Sequence, residues 1–93
     1  MICISGKNEY STIKYLNDRR FLFLNLFSIH EMIKKEIPQI ENIIIDVSYN
    51  DEKYYPVILL EFRKGTDITD DFYKRINRVR ENVSETDWIV KIS

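Results

Sequence analysis

Between Ile43 and Phe62, apolar positions recur with a period of two on both sides of the tetrapeptide Asn50-Asp51-Glu52-Lys53. Side chains alternate along a strand, so Ile43, Ile45, Val47 and Tyr49 share one face with Ile58, Leu60 and Phe62. A hairpin turning about Asp51-Glu52 pairs Asp46 with Val57 and Ile44 with Leu59. Its second face would be polar if it met only water. Instead it carries Ile44, Val57 and Leu59 beside Asp46, Ser48 and Glu61, so something is expected to cover it.

Helical periods flank the hairpin. Ser28-Ile29-His30-Glu31 matches a capping box, in which the serine oxygen accepts from the Glu31 amide and the glutamate reaches back. Ile29, Met32, Ile33 and Ile37 then fall on one helical face, and Pro38 ends the helix. A second helix starts near Thr69, with Asp70 and Asp71 in its electropositive first turn and a buried stripe of Phe72, Ile76, Val79 and Val83. The last strand, Trp88 to Ile92, turns Trp88, Val90 and Ile92 inward and Ile89 and Lys91 outward.

The segment Phe21 to Phe27 decides the fold. As a strand ending at the Ser28 cap, it completes an α+β split βαββαβ (ferredoxin-like) sandwich, an antiparallel sheet of three to four strands with helices on one face. As a helix, it gives the order α-α-β-β-α-β. The capping box favours the strand. Residues 1–18 are then a flap or helix in which Ile2, Ile4, Ile13 and Leu16 lie over the sheet.

Ninety-three residues, 44% apolar and 31% charged, make a single domain spanning 1–93 that can bury one core without disulfides. The net charge of −1 argues against strong electrostatic attraction to nucleic acid or acidic membranes. Cys3 is the single cysteine, and the first residues have neither the basic lead nor the apolar stretch of a signal peptide, so a cytoplasmic setting is expected. Alanine is absent while isoleucine, lysine and asparagine abound, the codon bias of an AT-rich genome such as many bacteria and phages carry.

Candidate chemistry is sparse. With one histidine, His30, and one cysteine, the chain cannot supply a conventional zinc cluster, and it has no cofactor loop; no cofactor or metal is expected. Asp46 with Glu61-Phe62-Arg63-Lys64, in helix–strand–strand–helix–strand order, resembles the core of the PD-(D/E)xK nuclease superfamily. That resemblance implies Mg²⁺ held by Asp46 and Glu61, with a lysine two residues on activating water. Here that position is Arg63, whose guanidinium stays charged and offers no lone pair to act as a base. The hairpin register also leaves Glu61 four residues beyond the partner of Asp46, roughly 13 Å away at ~3.3 Å per residue. A shared cation needs oxygens within about 2.6 Å of itself.

Lys74, Arg75, Arg78 and Arg80 on the second helix form a basic face that would suit phosphates, interleaved with carboxylates that suit a solvated, ion-paired one. Tyr49, Tyr54 and Tyr55 flank the acidic turn, and tyrosine offers large contact area at small entropic cost. Ile44, Val57, Leu59 and Ile89, ringed by Asp46, Ser48, Glu61 and Lys91, have the apolar centre and polar rim of an interface. The expectation is a small non-enzymatic protein that binds another protein or a second copy of itself, in the manner of an inhibitor, immunity protein or antitoxin. The alternatives are a metal-dependent nuclease using Asp46 and Glu61, or a nucleic-acid-binding module using the basic helix face.

Overall fold

A computed structural model describes residues 2–5 and 7–92. The chain runs β1 (Ile2–Ile4), α1 (Glu9–Asp18), α2 (Arg20–Glu36), β2 (Ile40–Asn50), β3 (Lys53–Phe62), α3 (Asp70–Val83), a short 3₁₀ turn (Ser84–Thr86) and β4 (Ile89–Ile92).

The hairpin is the backbone of the fold and keeps the register expected of it. Asp46 faces Val57, Ile44 faces Leu59, and the ladder closes at Asn50–Lys53. Asp51 and Glu52 sit at φ 50° and 63°, the left-handed values that both central residues of a two-residue type I′ turn require. At the other end the register slips between Ile40 and Asn42, leaving Glu41 as the extra residue.

Phe21–Phe27 is helix, which corrects the favoured strand reading. Leu22, Leu26, Ile29 and Ile33 recur at helical spacing straight through Ser28, and all four are buried. Leu24 points outward, whereas a strand would have kept it on the face of Leu22 and Leu26. Ser28 is therefore an exposed mid-helix residue rather than a cap, and the capping-box pattern there is incidental. Arg19, in a non-helical conformation (φ −127°, ψ 68°), is the single-residue break between α1 and α2. Within the stretch expected to be a flap or helix, Ile2–Ile4 add an edge strand and Glu9–Asp18 form a helix whose Leu16 joins the core; residues 1 and 6 lie outside the described residues.

The sheet order is β1-β2-β3-β4, with β1 and β2 parallel, β2 and β3 antiparallel, and β3 and β4 parallel. The expected antiparallel sandwich thus gives way to a mixed sheet. A helical crossover makes its two strands parallel; here each crossover joins immediate neighbours, with no strand interposed between them. The alternative α-α-β-β-α-β order has every element in place except β1, whose three residues are too few to show an alternating pattern.

Leu22, Leu26, Ile29 and Ile33 of α2 and Ile76, Val79 and Val83 of α3 share one core with Ile43, Ile45, Ile58, Leu60 and Val90. Both crossovers therefore lie on the same sheet face. They step across the sheet in the same direction, yet their strand pairs point oppositely, so the two crossovers have opposite hands. One of them departs from the right-handed rule that governs nearly all such connections.

Candidate protein-interaction surfaces

The face of the sheet turned away from the helices is built from alternate residues of all four strands. Cys3, Ile44, Leu59 and Lys91 form one row across it, and Asp46, Val57 and Ile89 form the next. Val57 is only 3% exposed and stands outside the core cluster that the helices share with the sheet. Ile44 and Leu59 are half-buried and Ile89 is exposed. The register thus sets Ile44, Leu59, Val57 and Ile89 in adjoining rows of this face.

The rim is ordered by hydrogen bonds. Asp46 Oδ1 accepts from Asn8 Nδ2 at 3.1 Å and from the Val47 amide at 2.8 Å. Asn42 Nδ2 donates to Glu61 Oε1 at 2.7 Å. Glu61 lies opposite Asn42, four residues along β2 from Asp46, so the two carboxylates are held apart by register and each is tied to a different asparagine. Arg63 lies beyond the end of β3, exposed, with its carbonyl accepting from Thr66. Among the described residues, no group of three or more His, Cys, Asp or Glu is placed to hold a metal ion.

The tyrosines divide between the two faces. Tyr55, opposite Ser48, belongs to the open face. Tyr49 and Tyr54 face each other at the hairpin end on the helix side, with ring centroids 4.9 Å apart. There they meet α1: the Tyr15 hydroxyl donates to the Tyr54 carbonyl at 3.4 Å, and the Arg19 guanidinium lies 3.9 Å above the Tyr15 ring. A shallow cleft of about 280 Å³ opens between α1 and Tyr54.

The basic face of α3 is engaged within the molecule. Arg75 pairs with Asp71 at 3.1 Å, and Arg78 reaches Glu36 of α2 at 3.2 Å. Arg80 Nε donates to the Val90 carbonyl at 3.2 Å, tying α3 to β4. Lys74 is exposed. Three of the four cations expected to meet phosphate thus serve intramolecular contacts.

One surface escaped the sequence reasoning. Phe21, Leu24 and Phe27 are 74%, 56% and 57% exposed on α2, and Phe23, partly exposed, stacks edge-on against Phe27 at 5.8 Å. The clue was the run itself. Six apolar residues in a stretch of seven exceed what a single core-facing helical stripe can bury, so a helix there must show rings to solvent. Reading the run as a strand hid that surplus.

No protein-family model, curated protein or solved structure matches this chain. Among the described residues, no helix is long and apolar enough to cross a membrane.

Proposed function

We propose that this protein acts by binding another protein through the open face of its sheet, in the manner of the small inhibitors, immunity proteins and antitoxins of bacteria and phages, and without chemistry of its own. The carrying observation is the row Cys3–Ile44–Leu59–Lys91, with Val57 and Ile89 beside it, on the face opposite the core that α2 and α3 share with the sheet. An apolar centre inside a hydrogen-bonded polar rim is the general anatomy of an interface. Pinning Asp46 and Glu61 to asparagines fixes the rim before a partner arrives, which lowers the ordering cost of association.

Affinity capture from the native host with wild type and Leu59→Asp, both checked for folding by Trp88 fluorescence, tests the reading. A partner held by wild type and lost by the folded variant supports it. A partner held equally by both would place binding elsewhere. Mg²⁺-dependent cleavage of DNA or RNA by wild type, abolished in Asp46→Asn, would replace it with the nuclease reading.

A further inference from the structure

The outward side of α2 is organised along its length. At about 100° per residue, Arg20, Leu24 and Glu31 fall within about 40° of one another, nearly opposite the buried stripe of Leu22, Leu26, Ile29 and Ile33. Phe21 and Phe27 flank Leu24 at about 60° to either side. A cation therefore stands at one end of an apolar strip and an anion at the other. Glu31 is 79% exposed at its side chain and lies 3.6 Å from His30 of its own helix.

We propose that this strip is the contact by which two copies of the chain associate, α2 packing antiparallel against α2 across a two-fold axis. Two sums agree on the register. If residue i of one copy faces residue 51 − i of the other, Arg20 meets Glu31 and Leu24 meets Phe27. Opposite charges and an aliphatic–aromatic pair thus fall in one alignment. A parallel pairing would instead set Arg20 against Arg20.

The area is also sufficient. With ring side chains of roughly 150–250 Å², the exposed portions of Phe21, Phe23, Leu24 and Phe27 leave about 400–500 Å² of apolar surface per copy. That lies within the roughly 300–600 Å² of the largest apolar patch on a typical soluble protein, a patch that is often functional. Two such patches, with the stems of Arg20 and Glu31, reach the ~1,000 Å² that a small specific interface needs. The open sheet face is not consumed, so this association and the binding proposed above use separate surfaces.

Light scattering after size exclusion, loaded at about 100 µM, should give twice the 11.3 kDa chain mass, since an interface of this size supports micromolar affinity. Leu24→Asp should be a monomer with Trp88 fluorescence and circular dichroism unchanged. Arg20→Glu and Glu31→Arg should each weaken association by on the order of tenfold, because each sets like charges together at two symmetric places. Mixing those two variants, or joining both changes in one chain, should restore the dimer. A monomeric wild type at that concentration, or a dimer that Leu24→Asp leaves intact, overturns the proposal. A dimer lost in Leu24→Asp but not rescued by the charge exchange overturns the antiparallel register.

Discussion

Glu52 is the most uncomfortable residue in the backbone. It holds φ 63° with a full side chain, next to Asp51 at φ 50°, so that the ladder can close at Asn50–Lys53. Left-handed geometry costs a non-glycine residue about 1–2 kcal/mol, less for Asp and Asn, whose short polar side chains tolerate it. Glycine removes that penalty but loses about 0.5–1 kcal/mol more backbone entropy on folding. Glu52→Gly should therefore stabilise the protein by about 0.5–1 kcal/mol. For a domain of 60–100 residues, that raises Tm by roughly 2–8 °C.

Urea unfolding followed by the emission of Trp88, which is 4% exposed when folded, would read the change as a higher midpoint with an unaltered slope. Asp51→Gly should gain less. Lys53→Gly, within the regular ladder, should lose stability, which separates turn geometry from a general effect of glycine. A Glu52→Gly variant no more stable than wild type would refute the turn conformation and the ladder register that depends on it.

Further outcomes follow from packing. Leu22→Asp should unfold the protein and Leu24→Asp should not; equal effects would return Phe21–Phe27 to a strand, where both would share one face. Ile58→Ala, at a fully buried position of the central strand β3, should cost about 2–5 kcal/mol in the same urea assay. Thr12→Val should be neutral or gain up to about 1 kcal/mol, because Thr12 Oγ1 is buried without a hydrogen-bond partner and the swap preserves shape. Arg78→Ala should cost less than about 1 kcal/mol, since its bridge to Glu36 is at the surface.

Much of the architecture was legible from period alone. The hairpin register, the stripe of α3 and the inward Trp88 and Val90 each follow from alternation or helical spacing, because each is long enough to repeat its pattern. What misled was a conflict between two local signals. Ser28-Ile29-His30-Glu31 looks like a helix start, but a capping box is only two side-chain bonds, worth less than burying Leu22 and Leu26 on the stripe that Ile29 and Ile33 continue. β1 was illegible because three residues carry no period, and it is defined by what Ile43–Ile45 offer it. The apolar centre of the open face was visible as Ile44, Val57 and Leu59. The α2 strip was not, since its residues become exposed only once the run coils.

The position of β1 has a kinetic side. The hairpin closes across two residues, whereas Ile2 finds Ile43 only after a loop of roughly 40 residues, an entropy cost greater by about 2–3 kcal/mol. Three residue pairs hold β1 in place, and Ser5 adds one amide bond to the Ile45 carbonyl. It is thus the strand held by the fewest residue pairs, and local opening is drawn from such sparsely held segments. Each departure bares the backbone edge of β2 at Ile43–Ile45, the stretch of sheet best able to recruit a foreign strand. A tripeptide at one margin of the chain is in this sense its guard against cross-strand aggregation.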